Sequence, residues 1–349
     1  MSDQYTYARF WRCALQVNPV SYNGAYRGND HGMDEADYNQ ALLEKCKALD
    51  IKVIGLADHG SVDSVDTLRN TLAPHGIVVF PGFEIASNDK THFVCLFSED
   101  TTSQQLERYL GVLDLLDPTD GVCPSRLSSE HLIDKVEELG GFIYAAHCTQ
   151  DSGLLKNRQN HVWQKPNLRA AQIPASIEEL KGIEDDFYRK VILNKNDSYR
   201  RERPMAIINA KDVAKPGDLE HSGATCLIKM TRPTFAAFKV AFLDPGSRIR
   251  LNSQQAESPV GAILHMRVSG GYLDGVEVDF SEHLNTVIGG RGTGKSTLLE
   301  CLRYALEIPP KGKQAQKLHQ EVIKENLGRS AGRIELKVVS SAQNGRQYL

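Results

Sequence analysis

The sequence predicts an α/β fold in two parts, and three features carry that prediction. Residues 1 to about 250 alternate short apolar runs with helical patterns across brief turns, which argues a parallel sheet or barrel. Polar residues recur just past those runs: Gln16 and Asn18, Asp58 and His59, Glu84, His147, then Asn209 and Lys211. In a barrel such positions converge at one mouth. From about residue 258 the pattern changes, and Gly289 to Ser296 reads G-x-x-x-x-G-K-S between a β-branched run and a helical one.

Taken in order, residues 10–17 read as a buried strand ending at Asn18-Pro19, and a polar, glycine-rich loop covers 21–33. Residues 34–49 form a helix that Asp34 or Asp37 can cap, with Ala41, Leu42, Cys46 and Leu49 as its apolar stripe. A second strand, 51–56, ends at Ala57-Asp58-His59-Gly60 and leads to a helix at 62–72. Strands at 78–80 and 91–97 follow, the first ending at Pro81-Gly82-Phe83-Glu84. Helices are expected at 103–115 and 128–139, a strand at 141–146 ending on His147, a helix near 177–181 and a strand at 205–208. A helix at 234–243 shows a small apolar face of Ala236, Ala237, Val240 and Ala241, and the polar stretch 252–259 reads as a linker. Beyond it, strands at 262–268 and 276–280 flank the Gly270-Gly271 turn. Then come the run 286–288, the glycine loop, a helix from Leu298, a basic loop at 309–317, a helix at 318–327 and an alternating strand at 333–339.

At 41% hydrophobic and 24% charged residues the chain has an ordinary globular composition. A net charge of −3 gives no global case for a nucleic-acid binder, although a local basic groove stays open. No apolar run is long enough to span a bilayer, and the N-terminus lacks a signal-peptide core. The seven scattered cysteines include no C-x-x-C pair, which suits a reducing cytoplasm. The basic cluster 199–203, with Lys190 and Lys195, reads either as a nucleic-acid backbone contact or as a solvated loop. His31, His161 and His221 sit in polar stretches and read as surface residues.

The glycine loop has a direct chemical reading. Gly289, Gly290, Arg291, Gly292, Thr293, Gly294, Lys295, Ser296 and Thr297 are the candidate nucleotide-binding residues. Glycines let successive N–H groups face one anion, and the helix start adds unpaired N–H groups and a positive dipole end. Lys295 would reach the β- and γ-phosphates of ATP, and Ser296 would hold Mg²⁺.

The stretches L-A-D-H-G, F-P-G-F-E-I, T-H-F-V-C-L-F and I-Y-A-A-H resemble the motifs of PHP domains, the polymerase and histidinol phosphatase family. That resemblance, over residues 8–250, implies a distorted (β/α)7 barrel with a metal cluster that cleaves phosphoester bonds. Matching positions survive at Asp58, His59, Glu84, His92 and His147. Gln16 and Asn18 stand where the family has an H-x-H pair, and Asn209 and Lys211 where it has D-x-H. Neutral amides are poor metal ligands and a lysine opposes a cation, so the full cluster reads as dismantled. What is left is a single Mn, Fe or Zn site, a barrel whose histidines are hydrogen-bonded fillers, or a variant in which Lys211 substitutes for metal charge and binds a phosphate.

Residues 258–349 resemble the N-terminal half of an ABC-type ATPase head of the SMC and RecF branch. By that resemblance the Walker B acid, signature motif and switch residue lie further along the family's chain, and about half a head is present. A PHP-like barrel followed by such a P-loop resembles the TrlF-type ATPases, bacterial proteins associated with nucleic-acid processing and defence against phage.

Three readings compete. In the first, the chain is an ATP-binding SMC-like subunit whose barrel (1–250) is a platform for nucleic acid or a partner effector protein. The resemblance implies a head dimer or other homo-oligomer. In the second, Asp58, His59, Glu84, His92 and His147 carry a metal-dependent nuclease or phosphoesterase gated by ATP. In the third, nucleotide only stabilises an assembly subunit. The first is the expectation taken forward, for a cytoplasmic protein with no membrane partner.

Overall fold

The computed structural model describes residues 7–22, 32–59, 61–116, 123–254, 261–281, 284–328, 331–339 and 347–348. The chain divides into one compact unit at Arg9–Gln255 and a second at 256–349, which also takes in Tyr7 and Ala8. Most of the expected linker, and His31, lie outside the described residues.

In the first unit the apolar runs become strands wherever a neighbour pairs with them. These are β1 (Arg9–Val17), β2 (Ile51–Leu56), β3 (Val78–Phe80), β4 (Gly82–Ala86), β5 (His92–Leu96), β6 (Phe142–Ala145), β7 (Ala170–Gln172), β8 (Ala206–Ile208), β9 (Cys226–Met230) and β10 (Ile249–Leu251). The helices are α1 (Val20–Tyr22), α2 (Glu35–Ala48), α3 (Val65–Leu72), α4 (Ser103–Val112), α5 (Ser129–Glu138), α6 (Asn160–Trp163), α7 (Phe187–Ile192), α8 (Phe235–Ala241) and α9 (Pro245–Arg248). Asp34 caps α2 by accepting the N–H of Asp37, as its position before the helical pattern predicts.

Two five-stranded sheets result, ordered β10-β9-β1-β2-β3 and β4-β5-β6-β7-β8. Pairings β1/β2, β2/β3, β6/β7 and β7/β8 are parallel. Pairings β1/β9, β9/β10, β4/β5 and β5/β6 are antiparallel, so the fold is mixed rather than uniformly parallel. Single bridges, Asp58 to Phe83 and Val17 to Val213, join the sheets into a distorted barrel. The short strands β4, β7, β9 and β10 were not expected, because runs this short become strands only through their neighbours. At Gly82 a Cβ would stand 2.0 Å from the carbonyl oxygen of Cys95, so only glycine lets β4 approach β5.

The face of α8 differs from expectation. Phe235 and Phe238 are buried, whereas Val240 is 49% exposed. Phe238 packs against Phe80, Phe142 and Phe242, and Phe242 against Phe142, in tilted or edge-on pairs at ring separations of 4.4–5.1 Å, so large aromatic rings together with the expected Ala241 define the buried side.

In the second unit β11 (Ala262–Ser269), β12 (Glu277–Asp279), β13 (Arg333–Val339) and β14 (Gln347–Tyr348) form an antiparallel sheet ordered β12-β11-β13-β14. Helix α10 (Lys295–Ala305) and helix α11 (Lys313–Ile323) accompany it. Met266, Val268, Leu273, Cys301, Ile323 and Leu327 make the core. Helix α11 starts five residues before the expected 318, directly after Gly312. The run 286–288 is not a strand: among the described residues no neighbouring strand pairs with it, and Ile288 is 90% exposed. A β-branched run satisfies its backbone as a strand only when a partner is present.

Candidate functional site

The strand ends of the first unit gather around Glu84. This carboxylate, on β4, is 4% exposed. Its Oε1 lies 3.0 Å from Nδ1 of His92 and 3.5 Å from Nε2 of His147. Its Oε2 lies 3.2 Å from Nε2 of His59 and accepts Nε2–H of Gln16 at 2.5 Å. Burial alone would raise the Glu84 pKa, but the hydrogen bonds from His147, His59 and His92 outweigh it and hold the carboxyl well below the usual range. His59 is driven the other way. Burial disfavours its charge, yet the bond to Glu84 and the surrounding acids raise its pKa overall. Its ring stacks on Tyr22 at 4.5 Å.

Ligand atoms of Glu84, His92 and His147 lie within 4.8 Å of one another. One carboxylate and two imidazoles form a donor set suited to a first-row divalent ion, so the residues present fit such a group. The other two candidates take different roles here. His59 sits on the second oxygen of Glu84, and Asp58 Oδ1 accepts the His59 backbone N–H at 2.7 Å. Asp58 is 3% exposed, and burial pushes its pKa to about 6 against the lowering effect of the His59 N–H and ring. His147 occupies φ 28°, a left-handed backbone that costs a non-glycine residue on the order of 1 kcal/mol or more.

The amides that replace expected ligands are used as hydrogen-bonding groups. Asn18 donates to Asp212. Asn209 donates to the carbonyls of Ile173 and Ala175 at 3.2 and 2.7 Å and accepts the Asn252 N–H at 3.0 Å. A cavity of about 640 Å³ opens over Glu84, and Gln150, Gln172, Lys211, Asp212 and His221 also line it. His221 is exposed as expected and also lines this cavity. His161 is exposed as expected.

The basic cluster resolves differently. Arg201 donates to the carbonyls of Trp163, Lys165, Leu168 and Arg203, and burial lowers its pKa to about 10. It is a clamp on the chain between α6 and β7. Arg200 faces Asp197 at 3.7 Å, and Lys190 donates to the Asp185 carbonyl at 3.0 Å.

In the second unit the glycine loop runs straight into α10, with Gly292 at φ 81° and Gly294 at φ 86°. Lys295 is the first helical residue, and its Nζ donates to the carbonyls of Gly289 at 2.8 Å and Gly290 at 2.5 Å. Thr293 Oγ1 donates to the Gly290 carbonyl at 2.9 Å. Ser296 and Thr297 follow in the first turn, and Arg291 is exposed. Sequence patterns gave no signal for Tyr272, whose hydroxyl donates to the Gly292 carbonyl at 2.6 Å. A Cβ on Gly294 would stand 2.9 Å from Leu273 Cδ2 and 3.0 Å from the Tyr272 ring. His319 and Glu300, 2.5 Å apart, tie α11 to α10.

Residues 264–348 match the family model of an AAA domain. No curated protein matches the chain. Among solved structures, an Endonuclease Q in complex with a 27-mer duplex substrate with an abasic lesion at the active site is similar over 70% of this chain, at 12% identity and TM-score 0.47. The match spans 58% of that chain, less than two thirds of its length. The lesion-specific endonuclease Q from Pyrococcus furiosus matches over 91% of this chain and 83% of its own, at 12% identity and TM-score 0.47. A two-domain protein containing a predicted PHP-like metal-dependent phosphoesterase, from Bacteroides vulgatus, matches over 78% and 85%, at 12% identity and TM-score 0.43. These likenesses are distant, and the reading of the first unit rests on its own strand order and on the residues around Glu84. No described helix is long and apolar enough to cross a membrane. The chain joins an α/β unit built on two five-stranded sheets to a part, residues 264–348, that matches the AAA domain model.

Proposed function

We propose that the second unit binds ATP with Mg²⁺ through residues 289–297, as the nucleotide-dependent part of an SMC-like ATPase, and that the first unit serves it as a platform. The observation that carries this reading is the glycine loop opening directly onto the N-terminus of α10, with Lys295 at the first helical position. Backbone N–H groups of the loop and first turn supply donors for a polyphosphate, and the dipole adds a favourable field. Lys295, which in this structure rests on the loop's own carbonyls, exchanges them for β- and γ-phosphate oxygens. Ser296 and Thr297 lie in the first turn of the helix, where a hydroxyl holds Mg²⁺. Lys295→Ala removes that lysine's charge, and binding of an ATP analogue by the whole chain is expected to be lost. Unchanged binding would overturn the reading. Work on nucleic acid in defence against phage, and self-association of the ATPase part, extend the proposal by resemblance to TrlF-type proteins and ABC heads.

A second reading is favoured by one observation, the convergence of Glu84, His92 and His147. These residues would hold a single Mn, Fe or Zn ion, with His59 and Gln16 fixing the second oxygen of Glu84. Such an ion supplies Lewis acidity toward a phosphoester and its attacking water. Elemental analysis of the purified chain and of His147→Ala decides it. Metal in the first and not in the second supports the reading, and no metal in either sinks it.

A further inference from the structure

The cavity over Glu84 contains groups that neither reading uses. Lys211 lines it, three residues beyond β8, and its ammonium makes no hydrogen bond or ion pair among the described residues. Its main chain is fixed, because its N–H donates to the carbonyl of Gly223 at 2.8 Å. The same glycine fixes His221: the Gly223 N–H donates to Nδ1 of His221 at 2.9 Å. A ring that accepts at Nδ1 carries its proton on Nε2, so His221 presents a donor there. Gly223 cannot be replaced without disturbance, since a Cβ would stand 1.9 Å from the Pro174 carbonyl oxygen. One glycine thus holds both donor residues at the cavity.

Two further observations point to a ligand. Gln172, also lining the cavity, is 2% exposed, and its Oε1 has no hydrogen-bond partner. A buried carbonyl oxygen left unsatisfied is uncommon, and it marks a place where a donor such as an ordered water belongs. The acids of the cavity, by contrast, are engaged. Glu84 takes Gln16 and three histidines, Asp212 takes the Asn18 amide, and Glu179 takes the N–H and hydroxyl of Ser176 at 3.3 and 3.0 Å. Among the described residues the cavity therefore keeps three donor groups to set against the lone Gln172 oxygen: the Lys211 ammonium, the His221 Nε2–H and the amide of Gln150, an exposed lining residue.

We propose that Lys211, His221 and Gln150 form an oxyanion subsite that takes a terminal phosphoryl group and holds it without a metal ion. A terminal phosphoryl group offers three unesterified oxygens, all acceptors, to three donor residues, whereas an internal diester offers two. The ammonium of Lys211 supplies the charge, and a water that accompanies the ligand can donate both to the Gln172 carbonyl oxygen and to a phosphoryl oxygen. This subsite depends on neither the glycine loop nor a metal at Glu84, so its test can be kept apart from both.

The experiment uses the whole chain carrying Lys295→Ala, which keeps phosphate off the glycine loop, after treatment with EDTA. Inorganic phosphate, methyl phosphate and dimethyl phosphate are titrated by calorimetry. Phosphate and methyl phosphate are expected to bind and dimethyl phosphate to bind at least about tenfold more weakly. Adding Lys211→Met weakens phosphate by about tenfold or more, while Lys211→Arg stays within about threefold. Lys211 is exposed, so thermal melts confirm that each variant is folded. Equal phosphate affinity with and without Lys211→Met overturns the proposal, as does phosphate binding that arises only when Mn²⁺ is restored. Equal affinity for dimethyl phosphate overturns the assignment to a terminal group.

Discussion

Asp58 offers a quantitative test of how the Glu84 site is held together. The carboxyl is 3% exposed, and burial lifts its pKa from the ordinary 3.8 to about 6. Between those values the folded chain keeps a proton that the unfolded chain has released. Stability therefore falls as pH rises through that window, and the whole loss is present above pH 6. At roughly 1.4 kcal/mol per pH unit the penalty reaches about 3 kcal/mol at pH 7.5 and only about 1 kcal/mol at pH 4.5. Asp58→Asn removes the charge and keeps an oxygen to accept the His59 N–H. The substitution is expected to stabilise the first unit by those amounts, which corresponds to roughly 6–12 °C in melting temperature at pH 7.5. Scanning calorimetry of the EDTA-treated chain at both pH values reads this directly. Equal melting temperatures at pH 7.5, or a larger gap at pH 4.5, would refute the reasoning.

Other consequences follow from single residues. Arg201→Ala strips donors from the carbonyls of Trp163, Lys165 and Leu168 and should cost about 2–4 kcal/mol in urea unfolding, with Arg201→Lys recovering little of it. Gly294→Ala forces a side chain into φ 86° against Leu273, so it should lower the stability of the second unit by about 1–3 kcal/mol and weaken nucleotide binding in the same titration. Glu84→Gln should reduce bound Mn or Zn by about tenfold or more, read by equilibrium dialysis against the free ion. Retention of metal by that variant would remove Glu84 from the ligand set.

Much of the architecture was readable from the chain because some residues act locally. The run through Leu15 and Val17 and the pattern ahead of Asp58 are apolar enough to specify strands alone. Asp34 caps its helix as its neighbours predict. Strand β4 was hidden behind Pro81 and Gly82, two turn residues that here serve close approach to β5. The reverse happened at 286–288, where β-branched residues lack a partner strand among the described residues. Around Glu84, the histidines that follow strands could be placed from sequence. His221 could not, because a glycine-mediated turn brings it back to the cavity. Arg201 misled because composition does not distinguish a half-buried clamp from a solvated basic loop.

The most direct test follows the backbone amides of Gly290 to Thr297 by nitrogen-15 resonance while Mg²⁺ and an ATP analogue are added to the whole chain. The account predicts that these amides show the largest shifts and that Lys295→Ala abolishes them. Nucleotide binding that leaves these amides unmoved would contradict it.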